Sequence, residues 1–304
     1  MSARYTVRHD TRYSYEAPVG ISRQVLHLTP RVTAYQALLS HHIRVTPVPD
    51  ISRDMVDAFG NNVRSFCVER DHERLAVVCE SHVEVRARVY PDLATSPPWE
   101  SVRDGLSYKA GRRLSPDELG AAEFLFESTR VRNKRELSAW AATSFPAGTP
   151  LLVGVSVLMH RIHQELTFDP KATNVSTPVM DVWKDRRGVC QDFAHLFLSC
   201  VRSLGLSARY VSGYLLTRPP PGKKRLIGAD ASHAWVSVHC PGFGWVDMDP
   251  TNATLVGEAH VTLGWGRDYD DVIPLRGVLL GGGQHEPHVS VTVLPEDAPE
   301  SYET

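Results

Sequence analysis

The sequence of 304 residues has five cysteines, no Cys-x-x-Cys pair and no apolar run of membrane length. Cys67, Cys79, Cys190, Cys200 and Cys240 are odd in number and widely scattered, which argues against a disulfide framework and a structural zinc site. A reducing cytoplasmic setting fits that usage and leaves room for a functional thiol. No span approaches the ~18–20 apolar residues of a membrane helix. The opening residues meet a charge every few positions, so no signal peptide is expected. The formal net charge is -2, which removes the broad positive field that would draw a nucleic acid. No internal repeat is visible. The composition, 42% hydrophobic and 22% charged, is that of a folded globular chain, and its length predicts two domains with a sizeable buried core.

From Tyr5 to about Tyr90 short strand-like runs alternate with turn chemistry: Tyr5–Val7, Gln24–Leu28, His42–Thr46, Val63–Val68, Leu75–Cys79 and Val83–Val89, with a turn at Ala58–Asn62. They predict an antiparallel β-sandwich or half-barrel over residues 1–92. Pro91 to Trp99 lacks periodicity and reads as a linker. A helical region over 93–150 follows, with an acidic first turn at Ser115-Pro116-Asp117-Glu118 and helical spacing in Lys134–Trp140; Leu151–Leu166 opens the second domain, 151–296. Residues 297–304 are expected to fray. The overall expectation is an α+β chain.

Val189, Phe193, Phe197, Val201 and Leu204 recur every three or four residues and predict a largely buried helix, with Gly205 placed to end it in the left-handed conformation. Cys190 falls in its first turn. There, unpaired N–H groups and the positive end of the helix dipole favour a thiolate. Arg186 and Arg187 could add positive potential or simply face solvent. Cys200, ten residues on at the other end of the dipole, reads as plain core.

After a predicted strand at Ala208–Leu216 and a Pro- and Lys-rich loop from Arg218 to Arg225, two strands follow, His233–Cys240 and Trp245–Asp249, joined by Pro241-Gly242-Phe243-Gly244. Alternation puts His233, Trp235, Ser237 and His239 on one face and Ala234, Val236, Val238 and Cys240 on the other. Asp247 and Asp249 share a face of the partner strand. For the polar faces to coincide, paired residue numbers must sum to an even value, for example with Trp235 opposite Asp249 and Ser237 opposite Asp247. His233 and Asp249 are then diagonal neighbours. Thiolate, imidazole and carboxylate together make an activated nucleophile. Asp247 competes for the orienting role, and Asp249 is preferred because it pairs toward the end where His233 begins its strand.

Four segments carry a resemblance. Gly188-Val-Cys-Gln-Asp-Phe-Ala-His195, Ser203-Leu-Gly-Leu-Ser-Ala-Arg-Tyr-Val-Ser-Gly-Tyr214, Asp230-Ala-Ser-His-Ala-Trp235 and Gly244-Trp-Val-Asp-Met-Asp-Pro-Thr-Asn252 resemble the core of the bacterial transglutaminase-like proteins. Asp10–Val19 and Asp57–Asn61 resemble the β-rich N-terminal domain of that family, and Gly266–Val272 with Leu275–Gly277 its closing segment. Ser237 and Asp247 depart from the pattern, without touching the triad. The resemblance implies a papain-like core in which Cys190 is the nucleophile, His233 the base and Asp249 the third member. An oxyanion would be held at the helix N-terminus, with the Cys190 N–H the safest donor. Gln191, Asp192 and Trp235 are candidates for oxyanion or supporting roles, Asp192 more as a helix-stabilising acid than as a participant.

Other groupings carry less. His160 and His163 share a helix face without a third ligand. Asp268, Asp270 and Asp271 lack the spacing of a calcium loop and suit a turn or substrate loop. Cys67 and Cys79 could face each other across neighbouring strands, and reduced core residues are the preferred reading. Neither a cofactor nor a metal is called for, and the expected partner is a peptide or protein presenting an amide or a glutamine side chain, with no nucleic acid and no membrane. Three functions remain open: a cysteine peptidase or amidase, a protein-glutamine gamma-glutamyltransferase with an amine acceptor, and a non-catalytic peptide-binding module.

Overall fold

The computed structural model describes residues 2–217 and 232–296, and the backbone of 225–226 and 302–303. The Pro- and Lys-rich loop, Asp230 and the 297–304 tail otherwise lie outside the described residues. The first half holds strands β1 (Ser2–Leu26), β2 (Gln36–Thr46), β3 (Ile51–Val56), β4 (Asn62–Val68) and β5 (His72–Arg86). Six helices follow: α1 (Trp99–Leu106), α2 (Pro116–Ala122), α3 (Arg135–Ala142), α4 (Leu151–Glu165), α5 (Val179–Asp185) and α6 (Cys190–Ser203). Strands β6 (Ala208–Leu215), β7 (Ser232–Cys240), β8 (Gly244–Asp249), β9 (His260–Gly266), β10 (Leu275–Gly281) and β11 (Pro287–Pro295) complete the chain. No helix among the described residues is long and apolar enough to cross a membrane.

The β-rich expectation for the N-terminal half holds in the form of one curled sheet of seven antiparallel strands. Its organiser is β1. Tyr5–Tyr13 pair with β5 on one side and β11 on the other, whereas Ser22–Leu26 pair with β4 and β10. An irregularity between Ser14 and Val19 lets one strand serve both halves. The predicted runs Tyr5–Val7 and Gln24–Leu28 are thus the two ends of one strand. Its inward positions pass from Tyr5 and Val7 to the buried His9 and Thr11, which interrupts the apolar alternation that would have shown its length. Two placements differ from expectation. Strands β10 and β11, within the segment assigned to the second domain, pair with β1; and β1 lies between β5 and β4, so Cys79 and Cys67 do not stand on neighbouring strands.

The second half is a five-stranded sheet in the order 254–255, β8, β7, β6, β9, with α6 across one face. Ala234, Val236, Val238, Val246 and Met248 supply the apolar face of the hairpin, and Phe193, Ala194, Phe197 and Val201 of α6 join them in a common core with Leu152, Val155 and Met159 of α4. The prediction of a buried helix after Gly188 is met, and Gly205 follows α6 with φ of 77°. Gly213 of β6 is required sterically: a Cβ there would come within 2.1 Å of the Val261 carbonyl oxygen and 2.4 Å of the Trp235 ring.

Buried polar contacts join the two halves. Arg88, just past β5, donates to Asp247 Oδ2 at 2.6 Å, and Tyr90 donates to the Val256 carbonyl at 2.9 Å. His9 Nδ1 meets the Tyr214 hydroxyl at 2.9 Å. Arg209 is buried between the rings of Trp245 and Trp265.

Gly213→Ala is expected to lower stability by about 1–3 kcal/mol or more through overpacking, measured as a lower urea midpoint. Arg88→Ala strands the Asp247 carboxylate and is expected to cost about 3–5 kcal/mol. Adding Asp247→Asn to it should restore part of that loss in the same assay.

Candidate active site

The start of α6 is built from its neighbours. Residues 187–188 pair in parallel with 167–168, and the Arg186 carbonyl accepts the Thr167 N–H at 2.8 Å. Val189 is extended, and the helix begins at Cys190. Asp192 closes the first turn, its Oδ2 accepting the Val189 N–H at 2.8 Å and the Thr173 hydroxyl at 2.6 Å. This carboxylate packs so closely on the preceding chain that a Cβ at Gly188 would lie 2.7 Å from Asp192 Oδ2. Burial raises the pKa of Asp192, opposed by those two donors. Its place is therefore that of a helix cap supporting Cys190 from within. Gln191 is half-buried, lines the site cavity, and donates from its amide to the Val175 carbonyl at 3.4 Å. Arg186 is committed elsewhere, to Glu165 and to the rings of Trp140 and Trp183.

The hairpin has the register that the polar faces require. Val236 pairs with Met248 and Ser237 with Asp247, so the paired numbers sum to an even value. His233 Nε2 lies 2.7 Å from Asp249 Oδ2, and His233 and Cys190 line the same cavity. Cys190, at the N-terminus of α6, and His233, held by Asp249, are thus brought to one cavity. Asp247 is not available as the third member, because Arg88 already holds it. Trp235 is fully buried beside His233, and its indole N–H points toward Asp247 at 3.5 Å, so it walls the site and does not donate into it.

Asp249 has no exposed surface. Its Oδ1 accepts the N–H groups of Thr251 and Asn252 at 2.9 and 3.2 Å. Its Oδ2 accepts the Asn252 amide at 2.7 Å and stands 3.2 Å from His260 Nε2, besides the contact with His233. Burial alone would raise this carboxyl's pKa, but bonds from His233, His260 and Asn252 hold it well below the usual carboxylate range. For His233, burial disfavours the imidazolium, and the bonds to Asp249 and Cys190 outweigh it, raising the pKa to about 10. The Gly257 N–H donates to His260 Nδ1, which places the His260 proton on Nε2, facing Asp249. His233, Asp249 and His260 thus form a hydrogen-bonded network, with both ring nitrogens of His260 committed.

Cys190 and His233 open on a cavity of about 740 Å³. Tyr210 and Ser212 of β6 line it, and so do His9, Thr11 and Tyr13 of β1 and Val289 of β11, so the N-terminal sheet forms part of the wall. Burial lowers the pKa of His9 to about 4, leaving an uncharged ring there. Cys190 is half-buried, whereas the four other cysteines are buried. Burial pushes the thiols of Cys79 and Cys240 up to about 12 and raises that of Cys200 as well.

The remaining candidates have structural places. His160 and His163 are exposed and contact separate backbone carbonyls, of Ser156 and Thr251. Asp268 is buried and accepts the Arg130 N–H, while Asp270 pairs with Arg130 and Asp271 with Arg267. Two members of the site were not singled out from sequence. Asn252 lies inside the Gly244–Asn252 motif, where nothing local distinguishes it from an ordinary turn residue. His260 had no local signal at all, being one of fourteen histidines and separated from Asp249 by the turn that carries the chain toward β9.

Residues 5–84 match the family described as the bacterial transglutaminase-like N-terminal region, and residues 139–250 match the transglutaminase-like superfamily. An uncharacterized protein of Mycobacterium tuberculosis is 39% identical over 301 residues, spanning 96% of this chain and 93% of that protein. A protein-glutamine gamma-glutamyltransferase of Pseudomonas aeruginosa is 32% identical over 101 residues, 32% of this chain and 15% of that enzyme. A crystal structure of a candidate cysteine protease from Cytophaga hutchinsonii superposes with a TM-score of 0.73 at 19% identity, covering 100% of this chain and 94% of that one. The papain-like arrangement of a cysteine-bearing helix on an antiparallel sheet is accordingly shared, and the chain belongs to the bacterial transglutaminase-like family.

Proposed function

We propose that the protein is a cysteine-dependent acyl-transfer enzyme that cleaves an amide through a thioester on Cys190, with water as the acceptor. The observation that carries this reading is that Cys190, at the N-terminus of α6, shares a cavity with His233, whose ring is held at 2.7 Å by the buried Asp249 carboxylate.

In this mechanism the thiolate of Cys190 attacks the carbonyl carbon of a peptide or side-chain amide. The oxyanion that forms is met by the Cys190 N–H, one of the first-turn donors that lack a helical carbonyl partner. The His233 imidazolium gives its proton to the departing nitrogen, the C–N bond breaks, and a thioester and a free amine result. Water then enters, His233 takes its proton, and the thiolate leaves to give a carboxylic acid. Asp249 keeps the imidazolium oriented through both steps. The gamma-glutamyltransferase reading differs only in the second acceptor, an amine in place of water, and draws support from the segment shared with the Pseudomonas enzyme. The cysteine usage supports a reducing, cytoplasmic setting for either chemistry.

Limiting iodoacetamide is expected to label Cys190 before the four buried cysteines, as read by peptide mass spectrometry; earlier labelling of Cys79 or Cys240 would sink the nucleophile assignment. Cys190→Ala should abolish turnover, and His233→Ala should lower kcat by roughly 10²–10⁴. Peptide substrates offered with and without a fluorescent primary amine distinguish the readings: released acid alone marks a hydrolase, and incorporated amine a transferase. Failure to trap a thioester under either condition marks a binding module.

The sign of the pH dependence follows from the raised pKa of His233. Its imidazolium contributes stability in full below the unfolded value of about 6.5, and that contribution is lost as pH rises through about 10. The alkaline limb of kcat/KM should fall near the same pH. In Asp249→Asn it should move down toward the ordinary histidine value, since the carboxylate that stabilises the imidazolium is gone.

A further inference from the structure

Asp249 accepts from two histidines on one oxygen: His233 Nε2 at 2.7 Å and His260 Nε2 at 3.2 Å both reach Oδ2, together with the Asn252 amide at 2.7 Å. His260 comes from the start of β9, at the opposite edge of the sheet from β8, and is 4% exposed. Its ring is held edge-on against Trp235, with centroids 5.3 Å apart and planes at 78°. The Gly257 N–H on Nδ1 fixes the tautomer, so Nε2 can act toward Asp249 only as a donor.

We propose that His260 is a positioning residue of the active site: by donating to Asp249 Oδ2 it shares the carboxylate charge with His233 and limits how tightly the imidazolium holds the proton destined for the leaving group. The inference rests on the proposed Cys190–His233–Asp249 chemistry. A carboxylate has about four lone-pair sites for donors. Here Oδ2 alone serves three, so each weakens the claim of the others. Were His260 absent, the charge facing His233 would be less dispersed, and the imidazolium would become a poorer general acid. The titratable groups facing His233 among the described residues are Cys190 from α6, Asp249 from β8 and His260 from β9. His9, Tyr210 and Tyr269 lie on the cavity wall. Burial keeps the His9 ring uncharged and raises the pKa of both tyrosines, so none of the three carries charge at neutral pH.

The test compares His260→Leu, which keeps an apolar body against Trp235, with His260→Gln, whose amide restores an N–H near the position of Nε2. In the full chain with labelled histidines, the His233 imidazole is assigned by its loss in His233→Gln and titrated by NMR. His260→Leu should move that titration upward by about one unit, and kcat should fall roughly tenfold with KM within about twofold. His260→Gln should bring both back toward the parent values. An unchanged or downward titration in folded His260→Leu, or a Gln variant no better than Leu, overturns the proposal. The titration needs no substrate. A chain that cleaves nothing but shows the upward shift and its rescue would refute the proposed function while supporting the role of His260.

Discussion

A carboxylate with no access to solvent stays ionised only if donors replace the water it has lost, and Asp249 is such a group. Its five donors come from three places: the start of β7, the turn at 251–252 and the start of β9. An unpaired carboxylate at this depth would take up a proton or disrupt the fold. Meeting the requirement therefore fixes the register of the hairpin, the direction in which the chain leaves β8, and the entry of β9 at the far edge of the sheet. The histidine that faces the thiol is held by the same constraint.

The helix N-terminus is fixed by a second, independent set of contacts. Asp192 satisfies the backbone ahead of Cys190, and the apolar face of the hairpin packs on α6. The two strand faces thus divide the labour. Ala234, Val236 and Val238 secure the helix that bears Cys190, while His233, Trp235 and the two aspartates build the polar side. Arg88 neutralises Asp247 from the connection out of the N-terminal sheet, leaving Asp249 as the carboxylate that serves His233. The N-terminal sheet also contributes cavity wall, through β1 and through β11 from the far end of the chain.

Sequence by itself determined the α+β class, the helix that begins at Cys190, the hairpin and its even register. Each follows from a short-range period: apolar residues every three or four positions for α6, alternation for the strands, and a turn at Pro241–Gly244. The pairing of His233 with Asp249 was legible because both lie on one hairpin, where register follows from which faces must agree. The full length of β1 was not, since His9 and Thr11 are polar residues buried by contacts with Tyr214 and with each other, and burial of that kind has no local signature. Only the tertiary structure decided that β10 and β11 return to pair with β1, that Arg88 claims Asp247, and that His260 meets Asp249. Those contacts join residues far apart along the chain or across a sheet, and their partners are chosen by the need to satisfy buried charge, a condition that exists only once the surrounding chain has excluded water.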